Sequence, residues 1–165
     1  MDLESSQTAG RQSIPVPAPY TISTVRERLD VDAIHAFLVR SDWSPGIPRA
    51  LVERAIAASL CFGLFHREAD REAQVGFARM VTDAATFGYL CDVYVLEAHR
   101  GRGLGKALVA AVMNHPDLQG LRRTMLVTAS AHGVYARFGF AAPAHPERVM
   151  EIMRPDIYRS RPEAH

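Results

Sequence analysis

The sequence predicts a single α/β (α+β) domain with a mixed, mostly antiparallel central sheet and helices packed on its faces. Two apolar runs, residues 60–66 and 74–82, are separated by the polar stretch READREA, a pattern typical of an antiparallel hairpin. The longer apolar run TFGYLCDVYVL (86–96) fits a strand covered on both faces. It leads into a clear amphipathic helix at 103–115 and then into a strand at 123–129, which together make a crossover connection.

The elements before the hairpin follow from local signals. YTISTVR (20–26) alternates and is β-branched, so it is predicted as the first strand. In DVDAIHAFLVRSDW (30–43) the apolar residues recur at helical spacing, and Asp30 or Asp32 can cap that helix. Pro48 suits the start of a second helix. The face that this helix turns inward is predicted to carry small and apolar residues, namely Leu51, Ala55 and Ala58.

The last predicted elements complete the domain. AHGVYARFGF (131–140) reads as a short helix that ends at Gly139, and RVMEIMRP (148–155) reads as a final strand. The predicted order is therefore β-α-α-β-β-β-α-β-α-β. Residues 1–19 are rich in Ser, Gln, Gly and Pro and are expected to be a flexible lead-in to a domain that spans residues 20–165.

Composition places the chain among ordinary globular proteins. It has 165 residues and a net charge of +1. So small a net charge produces no strong electrostatic field that would attract nucleic acid or an anionic membrane, and neither is expected as a partner. The N-terminus lacks the pattern of a signal peptide and no apolar run could span a bilayer, which favours a cytoplasmic location. Cys61 and Cys91 lie in apolar runs and are expected to be buried free thiols, with a disulfide as the weaker alternative.

Residues 100–106 read RGRGLGK and follow directly on the longest predicted strand. A Walker A loop does not fit, because arginine stands at position 100 and Ala107 follows the lysine. The dinucleotide fingerprint fails as well, because its last position falls on Lys106 or Leu108. A helix that begins here would still offer free N–H groups and a positive dipole end to a phosphate. The pattern that fits is Arg-x-x-Gly-x-Gly, at Arg100, Gly103 and Gly105.

Two segments resemble signatures of the GNAT N-acetyltransferase superfamily. VYVLEAHRGRGLGKALV (93–109) resembles its acyl-CoA-binding motif, and HGVYARFGF (132–140) resembles its second signature. The resemblance implies a GNAT-like fold and acetyl-CoA as co-substrate, with a pantetheine arm that pairs with the backbone near Val93 and Val95. It implies a gap there, where this strand splays from the next one. The loop that would hold the CoA pyrophosphate comprises Arg100, Gly101, Arg102, Gly103, Leu104, Gly105 and Lys106.

The same resemblance implies roles for single side chains. Tyr135 aligns with the tyrosine that protonates the departing thiolate, and Phe138 of the same signature is expected at the cofactor. Thr128 stands where the superfamily often has an asparagine that contacts the pantetheine region. Asp92 is the only charge within its strand and is either the base that deprotonates the acceptor or a structural residue at a strand irregularity. Trp43 either helps to close the acceptor site or packs in the core.

These observations lead to two hypotheses of function. The first is an N-acetyltransferase that transfers an acetyl group from acetyl-CoA to a primary amine, of a small molecule or a peptide, by direct attack in a ternary complex. The second is a GNAT-like module that binds acyl-CoA as a sensor or scaffold without turnover. The histidines show no spacing of metal ligands, so no metal is expected. A homodimer is one option for the assembly.

Overall fold

Five strands form one sheet in the order β1-β2-β3-β4-β5. The structure, a computed structural model, describes residues 13–159. Strands β1 to β4 pair antiparallel with their neighbours, and β5 runs parallel to β4. The predicted mixed, mostly antiparallel sheet is thereby confirmed. The strands are β1 (Tyr20–Ser23), β2 (Leu60–Glu68), β3 (Arg71–Thr82), β4 (Phe87–Val95) and β5 (Arg123–Leu126).

Four α-helices surround the sheet, and their starts follow the local signals in the sequence. Asp30 caps the first helix, since its Oδ1 accepts a hydrogen bond from the Ala33 N–H at 2.9 Å. Pro48 immediately precedes the second helix. The third helix follows the glycine loop as predicted. The helices are α1 (Val31–Leu38), α2 (Arg49–Ala57), α3 (Leu104–Met113) and α4 (His132–Ala136).

The two faces of the sheet carry separate apolar clusters. Alternation along the strands sends one set of side chains to α3 and the other to α1 and α2. The α3 side includes Phe62, Leu64, Met80, Leu90, Leu104, Leu108 and Val112. The α1–α2 side includes Ile34, Leu38, Val52, Ile56, Phe65, Phe77 and Tyr94.

The predicted inward face of α2 is correct only in part. The buried residues are Val52 and Ile56, an i, i+4 pair, while Leu51 of the predicted set packs half-buried against the same cluster and Ala58 is exposed. Two overlapping faces of this helix are apolar, and the larger side chains fill the core. The turn between β2 and β3 is only Ala69 and Asp70, because the polar residues around them pair across the exposed end of the hairpin.

The predicted final strand is also absent from the described part of the chain. Residues 149–154 form no ladder with any of the five strands. A segment with the sequence pattern of a strand forms a stable strand only where the free edge of a neighbouring strand pairs with it. No such pairing occurs within this single copy.

Cys61 and Cys91 are free thiols, as predicted; Cys61 is buried as expected, whereas Cys91 is only half-buried. Arg79 of β3 pairs with Cys61 on one side and with Cys91 on the other, so a whole strand separates the two cysteines. Burial raises the pKa of Cys61 to about 11 and that of Cys91 to about 12.

The predicted domain boundaries stay a prediction. Residues 1–12 of the lead-in and residues 160–165 lie outside the described part of the chain. Within the described part, no helix has the length and hydropathy that a membrane crossing requires.

Candidate acyl-CoA and acceptor site

The glycine loop turns the chain from β4 into α3 through two left-handed residues. Gly101 has φ +75° and Gly103 has φ +76°, a conformation that side chains with a Cβ rarely adopt. Gly103 is also the N-cap of α3, and no side chain caps this helix. The first N–H groups of α3 are therefore available at its positive dipole end, which is an arrangement that binds anions.

The space around this loop is open. A Cβ added at Gly101, Gly103 or Gly105 would meet no protein atom within 4 Å. The glycines are therefore not required for packing within the chain. Their missing side chains instead leave the backbone accessible to a group as large as a pyrophosphate, so the loop fits the phosphate portion of coenzyme A.

The non-glycine residues of the loop have different structural roles. Arg102 is exposed and Lys106 half-buried, and both stand beside the open glycines. Arg100 donates a hydrogen bond from Nε to the Val95 carbonyl at 2.9 Å, so it fastens the loop to the end of β4. The Leu104 side chain is 1% exposed and belongs to the core, which leaves only its backbone for a ligand.

Strands β4 and β5 diverge beside this loop. Their pairing begins at Phe87 with Arg123 and ends at Leu90 with Leu126. The rest of β4, which includes Val93 and Val95, continues along β3 alone. The ladder stops where β5 itself ends, and this leaves one side of the β4 backbone free of ladder contacts over the residues assigned to the pantetheine arm, as the expected splay requires.

A bulge interrupts β4 at Asp92. Pairing with β3 passes from Tyr94 opposite Phe77 to Cys91 opposite Arg79, and Asp92 has φ +54°. A bulge re-aims a side chain and breaks the regular alternation of a strand. The strand irregularity that the sequence suggested for Asp92 is therefore present.

The carboxylate of Asp92 joins three elements of the fold. Its Oδ2 accepts a hydrogen bond from Arg79 Nε at 2.7 Å, and its Oδ1 accepts one from Trp43 Nε1 at 3.1 Å. Arg79 also donates to the Ser59 hydroxyl at 3.2 Å. The Asp92 side chain is 7% exposed and that of Arg79 is 18% exposed, so this is a largely buried ion pair.

Sequence reasoning missed Arg79. It is the only charge in the run VGFARMV, and that signal could have paired it with Asp92, the only charge in the next strand. Trp43, by contrast, is not a core residue. It is 49% exposed; its ring contacts Phe37 at 6.0 Å between centroids, and its indole N–H reaches inward to Asp92.

A cavity of about 530 Å³ lies on the α1–α2 side of the sheet and reaches this ion pair. Its ionisable lining groups are Arg54, Arg79, Asp92 and Tyr158, and the remainder of the wall is mainly apolar. The cavity is large enough for a small substrate or the end of a peptide side chain. It is the candidate acceptor cavity.

Tyr135 lies on the opposite side of the sheet. It packs half-buried against the α3-side cluster, to which Val93 also contributes, and its ring makes an edge contact with Phe140 at 6.0 Å between centroids. Burial raises the pKa of Tyr135, so its hydroxyl stays protonated at neutral pH. The Thr128 hydroxyl accepts a hydrogen bond from the Ala131 N–H at 3.0 Å and so orders the start of α4.

The predicted site residues therefore form connected groups rather than one cluster. The loop and the free part of β4 adjoin one another, and Tyr135 and Thr128 line a second cavity together. Phe138 is half-buried in the turn after α4, where its N–H donates to the Tyr135 carbonyl at 2.9 Å. Asp92 lies apart from these residues, at the acceptor cavity.

Comparison with known proteins agrees with this geometry. Residues 59–142 match the family model of the acetyltransferase (GNAT) domain. A candidate acetyltransferase of Gibberella zeae is 36% identical over 138 residues, which cover 72% of this chain and 76% of the relative. A crystal structure of a candidate GNAT acetyltransferase from Xanthomonas campestris is 53% identical, covers 84% of this chain and 96% of its own, and superposes with a TM-score of 0.79.

The chain therefore belongs to the GNAT acetyltransferase family. More distant structures share the fold. One of them, a candidate acetyltransferase of Clostridium acetobutylicum solved with acetyl-CoA, is 16% identical, covers 81% of this chain and 94% of its own, and has a TM-score of 0.58.

The Asp92–Arg79 pair yields a stability prediction. Asp92→Asn should lower the free energy of unfolding by about 3 kcal/mol, because it leaves the Arg79 guanidinium largely buried without a counter-charge. Adding Arg79→Met should restore part of that loss, so that the two effects are not additive. Urea unfolding of the single and double variants at neutral pH measures both. Fully additive losses would show that the two side chains are not coupled.

Proposed function

We propose that this protein is an N-acetyltransferase that moves an acetyl group from acetyl-CoA to a primary amine by direct attack in a ternary complex. One observation carries the proposal. The open glycine loop at the start of α3 adjoins the stretch of β4 that pairs with β3 but has no partner on the β5 side, and together they offer a phosphate site next to an unpaired backbone edge.

The donor half of the site follows from these residues. Backbone N–H groups at the start of α3 would bind the pyrophosphate, with Arg102 and Lys106 adding positive charge. The backbone near Val93 and Val95 would pair with the pantetheine arm. A β4 N–H directed at the thioester carbonyl would stabilise negative charge on that oxygen during attack.

The acceptor half is the cavity beside Asp92. The amine nitrogen must be neutral to attack, and an alkyl amine has a pKa of about 10.4 in water, so it has to lose a proton first. Both oxygens of Asp92 already accept hydrogen bonds, from Arg79 and Trp43. We therefore favour the structural role for Asp92, in which it holds Arg79 in the cavity wall and fixes the Trp43 indole N–H, over direct proton removal. Asp92→Asn should then leave the shape of the kcat pH profile unchanged.

Tyr135 is the proposed acid. As the amine nitrogen bonds to the acetyl carbon and the carbon–sulfur bond breaks, the sulfur leaves with the bonding electrons. The Tyr135 hydroxyl, kept protonated by burial, would then supply the proton that converts the thiolate into free coenzyme A. The N–H proton that the nitrogen releases as the amide forms would pass through water to the tyrosinate, which restores the hydroxyl.

The proposal is tested by incubating the protein with acetyl-CoA and a panel of small and peptide amines while following the release of free thiol. Release with at least one amine, together with the acetylated product by mass spectrometry, supports N-acetyl transfer. Tight CoA binding without release across the panel would favour the sensor or scaffold alternative. Cys61 and Cys91 contribute little to the signal, because burial raises both thiol pKa values.

A cytoplasmic location and the independence from metal are predictions of the sequence. A peptide or small molecule remains the expected acceptor. A homodimer stays one option for the assembly.

A further inference from the structure

One arginine beside the acceptor cavity has no partner within the described part of the chain. Arg54 lies in the last turn of α2 and lines the cavity, and no group among residues 13–159 forms an ion pair or hydrogen bond with its guanidinium. Every other arginine between residues 20 and 59 is engaged by a protein group. These are Arg26, Arg28, Arg40 and Arg49. The charge of Arg54 is therefore available to a ligand.

The position of Arg54 on α2 places it at the solvent-facing part of the cavity wall, here called the entrance. Val52 and Ile56 of the same helix are buried in the core, whereas Arg54, Ala57 and Ala58 are exposed and line the cavity. Residues three and four positions apart are neighbours on a helix surface, so the two alanines lie beside Arg54. Their side chains are small, and they leave the guanidinium uncovered at the entrance.

The inner part of the cavity is electrically balanced. Arg79 and Asp92 form the largely buried ion pair described above, and their charges neutralise one another. Most of the remaining wall is apolar. Arg54 therefore gives the cavity a net positive charge, and this charge is located at the entrance rather than at the β4 end.

A cavity with a net positive charge discriminates between amines. A plain alkyl amine, with a pKa of about 10.4, is mainly an ammonium ion in neutral water, and a positively charged cavity repels it. An amine that also carries a carboxylate has no net charge. Its carboxylate can accept charge-assisted hydrogen bonds from a guanidinium, and a phosphate can do the same.

We propose that the acceptor is an amine that also carries an anion, either a carboxylate or a phosphate, and that Arg54 binds this anion at the entrance of the cavity. Asp92 belongs to β4, the strand whose free edge is assigned to the pantetheine arm, so the reacting nitrogen lies at the Asp92 end. The apolar wall suits an apolar body between the two groups. The proposal rests on N-acetyl transfer as the proposed function and adds the class of substrate.

Calorimetric binding to the full chain, with and without CoA, tests this substrate class in the absence of turnover. The probes are pentylamine, δ-aminovalerate, in which a carboxylate replaces the terminal methyl group of pentylamine, and aminopropyl phosphate. At least one anionic probe should bind about five-fold more tightly than pentylamine, as an ion pair at an exposed site can contribute. The preference should shrink in high salt. The tighter of the two anionic probes identifies the preferred anion, and equal binding of all three, or no binding of either anionic probe, would overturn the proposal.

Variants at Arg54 test whether this side chain binds the anion. Arg54→Gln should abolish the preference for the anionic probe, and Arg54→Glu should reverse it in favour of pentylamine. Both variants should keep the wild-type circular dichroism spectrum, because the side chain is exposed. Arg122→Gln is the matched control and should keep the preference, since Arg122 is also exposed and lines neither cavity. A preference that survives in Arg54→Gln would assign the anion to another group and contradict the proposal.

Thiol release distinguishes a failure of this proposal from a failure of the proposed activity. With δ-aminovalerate as acceptor, Arg54→Gln should raise KM about five-fold and leave kcat close to the wild-type value, because the anion lies away from the reacting nitrogen. Equal kcat/KM for pentylamine and both anionic probes would refute the substrate class and leave N-acetyl transfer standing. Binding of an anionic probe that depends on Arg54, without thiol release, would support the anion site and count against the activity.

Discussion

Tyr135→Phe is expected to lower kcat for acetyl transfer by about 10²-fold or more, the range that a positioned general acid contributes. The substitution removes the hydroxyl and keeps the ring, which makes the packing contact with Phe140. Affinity for coenzyme A should therefore stay close to the wild-type value. Steady-state kinetics of thiol release, with CoA binding measured separately by calorimetry, gives both quantities.

The control for Tyr135→Phe is Tyr89→Phe. Burial raises the pKa of Tyr89 as well, but this residue lines neither cavity. Tyr89→Phe should therefore leave kcat nearly unchanged.

Because the pKa of Tyr135 is raised, wild-type activity should rise with pH as the amine loses its proton and should not decline below about pH 10, the ordinary tyrosine pKa. Wild-type kcat in Tyr135→Phe would assign the acid to another group.

Gly105→Asp is expected to weaken CoA binding at least about ten-fold, equivalent to about 1.4 kcal/mol, without weakening the fold. The residue lies in the first turn of α3, where an added Cβ meets no protein atom. A carboxylate there would repel the phosphates. The same carboxylate interacts favourably with the helix dipole, and aspartate exceeds glycine in helix propensity by about 0.3 kcal/mol, so the free energy of unfolding should rise slightly.

The uncharged variant Gly105→Asn separates charge from bulk. It has the size of the aspartate variant and should bind CoA more tightly than that variant does. The difference between the two should shrink in high salt, because salt screens the repulsion. Calorimetric titration at two ionic strengths, with thermal unfolding of both proteins, makes the comparison. Unchanged CoA affinity in Gly105→Asp would remove the loop from the donor site.

Local features of the site could be predicted well from the sequence. The loop depends on residues that are adjacent in the chain: two glycines that take positive φ, a helix start at Leu104 and a strand that ends at Val95. Glycine conformation and helix capping are short-range effects. The motif therefore predicted the shape of the loop before any long-range contact was known.

Features that depend on strand register could not be predicted in this way. The bulge at Asp92 shifts β4 against β3, and only that register brings Arg79 to the carboxylate. Trp43 reaches the same group from a loop 49 positions away. A change of one residue in register reverses which face a side chain occupies, so the pattern alone left both roles of Asp92 open.

The sequence by itself determined the mixed sheet and the glycine loop, because apolar periodicity and short-range conformational preferences encode them. It determined the family through the resemblance of two segments to the family's signatures. Only the tertiary structure decided that β4 and β5 part after Leu90, that Asp92 is held in a buried ion pair, and that residues 149–153 find no strand partner in their own chain. The physical reason is that each of these depends on which distant segment comes to lie alongside, and apolar periodicity specifies that a residue is buried but not what it is buried against.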